Sequence, residues 1–376
     1  MTEQHTNETN ADVEGLDIPS TDGWGDYPLD AVFVRTEPRS VGDVVARINK
    51  KRYILDPDFQ RDFVWKNNKQ SKLIESCIMR IPLPVFYVAE AKDGRIIVVD
   101  GLQRLTTFSR FIDNQFKLVG LANDIEGQSS HALEGKFFED LPLNLQERVL
   151  DTQLTMYILD AKAPERARLD IFERVNSGEP LTRQQMRNAL YNGPATIWLK
   201  EASELAVFRS ATGGSLNSKT MRDREAINRF CAFKLLGWEH YTTGDMDSFL
   251  AEGLQKLSAL SQESRNVLFH DFEQSMILNE KLFGTHAFRK SLSYNSAWAA
   301  RTVINISLFE VCAVYFSDPK IYLLADSTLQ SLRESIISFI KEAIFDRAIT
   351  YSTNSTVAVK DRFAFFELQI MKELTS

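Results

Sequence analysis

The stretch RIIVVDGLQRLTTFSRF, residues 95–111, decides how the rest of the chain is read. Ile96 to Val99 is a short apolar run with the β-branched content of a buried strand. The run breaks at Asp100-Gly101. Apolar residues then resume at helical spacing with Leu105, Phe108, Phe111 and Ile112. The pattern predicts strand, tight turn, helix. Gly101 permits a close backbone approach or a positive φ. The first helical turn offers unpartnered N–H groups at the positive end of the helix dipole, where an anion such as phosphate is favoured. Gln103 and Arg104 fall in that turn, with the carboxylate of Asp100 beside it. A guanidinium can grip phosphate through two parallel hydrogen bonds. The same residues admit a plainer reading, in which Asp100 caps the helix and Arg104 is a solvated surface charge.

The chain has 376 residues, enough for two domains. Its 25 phenylalanines can fill a sizeable core, and its net charge of −7 argues against bulk electrostatic binding to nucleic acid while leaving room for a local basic groove. Three cysteines, Cys77, Cys231 and Cys312, are too scattered for a disulfide framework and fall in apolar helical contexts, so reduced core residues are expected. No run reaches membrane-spanning length and the opening residues lack a signal-peptide pattern, so a cytoplasmic protein is expected. The five histidines lie far apart, without paired spacing for zinc.

Residues 1–20 are polar and acidic and are expected to be disordered. A short helix around Val44, Val45 and Ile48 leads to an extended segment. The stretch 56–65, DPDFQRDFVW, is then a loop, because Pro57 biases its predecessor to extended geometry. Asn68 can cap a helix through about Met79, ended by Pro82 and Pro84. Val85 to Ala91 reads as a strand, Asp93-Gly94 as a hairpin turn, and Arg95 to Val99 as the returning strand. Phe116 to Val119 is expected to be extended, residues 120–135 a surface loop, Pro142 the start of a small helix, and Thr152 to Leu159 a strand. Residues 164–175 look helical. Thr182 and Gln185 form a capping-box pattern opening another helix, on which Arg183 and Arg187 share a face. Beyond Pro194 the pattern is mostly helical, most clearly at 222–236, 246–260, 296–316 and 328–346, with another helix near the C-terminus. The expected architecture is α+β: a mixed domain over residues 21–195, then an α-helical domain over 196–376.

Three segments, FQRDFVW at 59–65, VVDGLQRLTTF at 98–108 and FERVNSGEPLTRQQMRNALYNG at 172–193, resemble the N-terminal domain of the GmrSD-type restriction endonucleases. That family is similar to the ParB and sulfiredoxin superfamily, which binds a nucleoside triphosphate on a compact α+β core. The match spans roughly residues 40–195. Met221 to Glu225 and Met246 to Leu250 resemble a short, stand-alone branch. The family pattern usually reads Asp-Gly-Gln-Gln-Arg, whereas here Leu102 replaces the first Gln. The resemblance implies nucleoside triphosphate hydrolysis, in some members DNA nicking, and defence against phage. Larger members carry a second, His-rich nuclease domain. No such motif is visible here, so cleavage of modified DNA is not carried over.

Phosphoryl transfer depends on positioning and charge neutralisation. Asp100, Gln103 and Arg104 are therefore the candidate catalytic residues. The N–H groups of Gly101 and Leu102 would cradle a phosphate, Gln103 would orient a water or a phosphate oxygen, and Arg104 would neutralise developing charge. Asp100 would hold Mg²⁺ or polarise the attacking water. Gln60, Arg61, Thr106, Asn176, Arg187 and Asn188 are the further nucleotide-binding candidates, with Arg61 and Asn176 expected to face the same cleft as Arg104. A nucleotide-gated module that controls DNA or a partner protein, and a metal-dependent DNA nickase using Asp100 with Asp56, Asp58 and Asp62, are the alternatives. Lys219, Arg222, Arg224 and Arg229 could track a phosphate backbone, but Asp223 and Glu225 interrupt them, which favours a solvated, salt-bridged face. Expected partners are a nucleoside triphosphate, DNA and a separate nuclease or effector. A homo-oligomer and no membrane are expected.

Overall fold

In the computed structural model, the described residues are 13–16, 34–55, 65–91, 93–121, 132–175, 182–296 and 298–375. Backbone contacts divide the chain into two compact units, Trp24–Leu190 and Tyr191–Ser376, the latter joined by Met1–Gly23. The first strand, β1 (Val13–Glu14), belongs with the second unit. Residues 13–16 therefore depart from the expected disordered tail.

The first unit runs β2 (Val34–Ser40), α1 (Val41–Asn49), β3 (Tyr53–Ile54), α2 (Asn67–Ile78), β4 (Phe86–Glu90), β5 (Ile96–Asp100), α3 (Leu102–Ile112), α4 (Leu143–Leu150), β6 (Gln153–Leu159), α5 (Glu165–Val175) and α6 (Arg183–Leu190). Its five strands form one mixed sheet in the order β2-β6-β4-β5-β3. Strands β4 and β5 pair antiparallel as the expected hairpin, while β3 with β5 and β4 with β6 pair parallel. Alternate strand residues, Phe86, Val88, Ile96, Val98, Leu154, Met156 and Ile158, share one core with apolar residues of α1, α2, α3 and α4. Ile97 and Val99 point to the other face and are also buried. Helix α5 lies along β5. Burial on both faces is why β5 reads as an unbroken apolar run.

Local details refine the expected elements. Helix α2 starts at Asn67 after Lys66, without a side-chain cap, and Asn68 accepts only from the neighbouring Lys69 N–H. Phe116 to Val119 is not a strand, although Phe116 and Leu118 are buried. The capping box at Thr182 forms: its N–H donates to Gln185 Oε1 at 2.7 Å, and Gln185 N–H donates to Thr182 Oγ1 at 3.2 Å.

The second unit is helical: α7 (Pro194–Glu204), α8 (Ala206–Thr212), α9 (Arg222–Leu236), α10 (Met246–Ala259), α11 (Gln262–Phe283), α12 (Ile306–Phe316), α13 (Pro319–Tyr322), α14 (Asp326–Phe339), α15 (Ala343–Thr350) and α16 (Thr356–Thr375). Strand β7 (Ile304–Asn305) pairs parallel with β1 and is the one strand after residue 190 among the described residues. The helix expected over 296–316 begins only at Ile306. Asn305 caps it there, its Oδ1 accepting from Leu308 N–H. The helix expected over 328–346 is two helices, α14 and α15, separated at Ile340 to Glu342. The three cysteines are free and buried, and burial pushes the Cys77 thiol up to about 11.

A carboxylate lies at the centre of this unit. Glu310 on α12 is fully buried between Arg229 on α9, at 2.7 Å, and Arg362 on α16, at 2.5 Å. Arg229 also donates to Asn354 Oδ1, and Arg362 to the Thr353 carbonyl. One acid thus ties three helices and the turn before α16. Replacing Glu310 with Gln should destabilise the protein by about 3–5 kcal/mol, because buried Arg362 loses its carboxylate partner and buried Arg229 keeps only Glu225, 3.9 Å away. Denaturant unfolding measures this, and an unchanged midpoint would contradict it.

Candidate phosphate-binding site

The candidate site is the turn from β5 into α3. In the β4–β5 pairing Tyr87 faces Asp100 but Val88 faces Val98, so Val99 is an extra residue, a bulge just before the turn. Bulges re-aim the chain next to functional positions. Gly101 follows with φ of +103° and caps α3 without a side-chain bond. Glycine is required on two counts. The φ is left-handed, and a Cβ here would lie 2.3 Å from Phe86 Cδ1. Gly101, at the N-cap of α3, thus supplies no capping side chain to the first turn.

Arg104 occupies a different environment from either sequence reading. Its side chain is only 11% exposed, so it is not a solvated surface charge. Its Nη2 donates to Asp100 Oδ2 at 2.9 Å and to the Val85 carbonyl at 3.1 Å, and its Nη1 donates to the Pro84 carbonyl. The guanidinium lies over the Phe86 ring, 4.1 Å from its centroid. Burial lowers the pKa of Arg104, opposed by the charge of Asp100. Arg104 thus fastens α3 to the entry of β4. Asp100 pairs with Arg104 and does not cap the helix. Its other carboxylate oxygen makes no bond within the described residues.

Gln103 joins two of the three sequence motifs. Its Oε1 accepts the N–H of Trp65 at 3.3 Å. The Trp65 carbonyl accepts from Gln70 Nε2 at 2.9 Å, and Gln70 Oε1 accepts from Arg110 on α3 at 3.4 Å. Gln70 and Ser71 are buried, and Ser71 Oγ accepts the Val119 N–H. Sequence reading missed this lattice. Its signal was present: Asn67, Gln70 and Ser71 stand at helical spacing on one stretch of α2. Leu102 packs at the edge of the core and Thr106 is half-buried on α3.

The third motif supplies α5 and α6. Arg187 and Asn188 are buried, linked through Gln184: Arg187 Nη1 donates to Gln184 Oε1 at 3.1 Å, and Gln184 Nε2 donates to Asn188 Oδ1 at 2.9 Å. Arg183 instead pairs with Asp170 on α5 at 2.9 Å. The two arginines expected on one face thus have different fates, Arg187 interior and Arg183 half-buried. Gln60, Arg61 and Asn176, with Asp56, Asp58 and Asp62, lie outside the described residues. Among the described residues no group of three His, Cys, Asp or Glu could hold a metal ion, and no helix is long and apolar enough to cross a membrane. The basic residues of α9 are not a solvated face either. Arg229 is buried on Glu310, Arg222 lies 3.7 Å from Glu225, and Asp223 and Glu225 are themselves buried.

Residues 41–192 match the family described as GmrSD restriction endonuclease, N-terminal domain. No curated protein matches the chain. The mixed unit thus carries a domain of the GmrSD N-terminal family, and the match ends where the helical unit begins.

Removing Arg104 should be felt in stability as well as at the site. Arg104→Ala leaves two carbonyls and Asp100 without their charged donor, at about 1.5–3 kcal/mol. A melting point lower by roughly 3–10 °C is expected, with Arg104→Lys recovering only part because a point charge cannot reproduce the planar fork. A melting curve identical to wild type would show that the fastening carries no load.

Proposed function

We propose that this protein binds and hydrolyses a nucleoside triphosphate at the Asp100–Arg104 turn, as part of a restriction or phage-defence system. The observation that carries the reading is the uncapped N-terminus of α3, entered through left-handed Gly101 and flanked by Asp100 and Gln103. A helix N-terminus favours phosphate through its free N–H groups and its dipole. The family membership of residues 41–192 supports the defence setting.

Each residue has a role that its environment permits. The N–H groups of Gly101 and Leu102 cradle a phosphate. Gln103, held in place by Trp65, orients a phosphate oxygen or water. Arg104 has five N–H groups and engages three of them within the protein, so it contributes fixed positive charge and two remaining donors. A magnesium ion fits Asp100, whose second oxygen is uncommitted, because Mg²⁺ is commonly held by one or two carboxylates together with water and the phosphates themselves. When bound it would neutralise phosphate charge. Arg187 and Asn188 are proposed to support the nucleotide from α6, and Gln60, Arg61, Thr106 and Asn176 complete the proposed set.

A phosphate-release assay with the four nucleoside triphosphates and Mg²⁺ tests the reading. Turnover is expected, and Asp100→Asn should reduce it roughly tenfold or more. Failure to bind any nucleotide would refute the proposal. The second reading, a nucleotide-gated module without hydrolysis, is favoured by one observation: Leu102, where the family has Gln, packs against the core. Binding without phosphate release would select it. Leu102→Gln should raise turnover if that position can reach the nucleotide.

A further inference from the structure

The helical unit carries a second cationic feature, on the turn after α8. Gly213 and Gly214 both have φ of +64°, so the chain reverses through two left-handed residues. Arg289, 3% exposed, secures the turn by donating to the Thr212 carbonyl at 2.9 Å, Ser215 Oγ at 2.7 Å and the Thr302 carbonyl. Arg301 lies against the same turn. A Cβ on Gly213 would come 2.8 Å from Arg301 Nη1 and 3.6 Å from Arg289 Nη2. Two guanidiniums thus converge on one glycine. Among the described residues, no carboxylate pairs with either of them. Burial, and then the charge of Arg301, lower the pKa of Arg289. Glu280 accepts from Ser210 in α8.

Three residues before Arg301 in the chain stands Trp298, 98% exposed. An indole fully in water forgoes the large burial gain of that side chain. Tyr294 is also exposed, with Lys341 Nζ 6.0 Å from its ring centroid. Three residues of chain span at most about 11 Å, so Trp298 and Arg301 lie within that reach of one another. Trp298 and Arg301 thus put an exposed indole and an exposed guanidinium on one short stretch of a chain whose net charge is −7.

We propose that this face of the helical unit binds single-stranded nucleic acid, with Trp298 stacking on an unpaired base and Arg301, backed by Arg289, holding an adjacent phosphate. Stacking on an aromatic platform suits any base because every base has a π-face. It requires that face to be free, which a closed duplex denies along its length. The cation pair without a carboxylate supplies the anion preference, and the indole supplies the preference for single strands.

Anisotropy titration of a labelled oligothymidylate with the full chain, without added nucleotide, tests this. Saturable binding that weakens with salt is expected. Trp298→Ala and Arg301→Ala should each reduce affinity by roughly tenfold or more. Both side chains are exposed, so the variants should fold, and matching melting curves would verify it. A closed hairpin duplex of the same length should compete at least about tenfold more weakly. Asp100→Asn should bind the oligonucleotide as wild type does. Wild-type affinity in both patch variants, equal competition by the duplex, loss of binding in Asp100→Asn, or full competition by inorganic triphosphate would each overturn the assignment.

Discussion

The ring of Phe86 lies where a side chain on residue 101 would have to be. This single steric constraint orders the mixed unit around the β5–α3 turn. Because Gly101 has no Cβ, the turn can close down on the first residue of β4, and α3 starts directly over the sheet. Arg104 lies over the same ring and bonds to the carbonyls of Pro84 and Val85. The aromatic ring, the glycine and the guanidinium form one packed stack. Moving any of the three would shift the first turn of α3, where an incoming phosphate is proposed to bind. Rigidity at such a place has a chemical use, since donors already aimed at an anion need not reorganise when it arrives.

The helical unit is governed by a different constraint, charge compensation in a dry interior. Glu310 holds Arg229 and Arg362 at full burial, and each arginine finds a further acceptor nearby. Ion pairs of this kind add little net stability over an apolar core, but they are costly to break. They favour one arrangement of α9, α12 and α16, since a rotated helix would strand a charge. The buried polar residues at the start of α9 follow the same logic, with Arg222 and Glu225 close to one another.

Much of this was legible in the chain. The strand, turn and helix at 95–111 follow from the break in periodicity at Asp100-Gly101. The hairpin at Asp93-Gly94 and the capping box at Thr182 form as their residues predict, because they are local and their chemistry lies within a few positions. What the sequence hid is non-local. The acceptors of Arg104 are backbone carbonyls some 20 residues upstream, and a carbonyl leaves no mark in a sequence. Trp65 and Gln103 meet across 38 positions. The 22-residue α11 was not singled out because its sequence lacks a simple apolar stripe, and its long middle mixes Phe272, Ser275, Met276 and Asn279 among its buried residues. The start of α12 was legible in principle. Asn305 is a strong capping residue, but the apolar run around it masked the boundary.

How Arg104 is engaged bears on what the turn can do. A residue that gripped phosphate with its whole fork would have to release Asp100 and two carbonyls, exchanging about three charge-assisted bonds for two. That exchange gains little, so the side chain is better suited to stay in place and act as a fixed positive charge. The fork then presents only its remaining N–H groups. In the proposed reading, discrimination between nucleotide and other anions would therefore come from the surrounding groups: the N–H groups of α3, the amide of Gln103 and the carboxylate of Asp100. A site of that kind would sense the charge and shape of a phosphate more than the identity of a base. In the proposed reading, base selection would fall to residues beyond this turn.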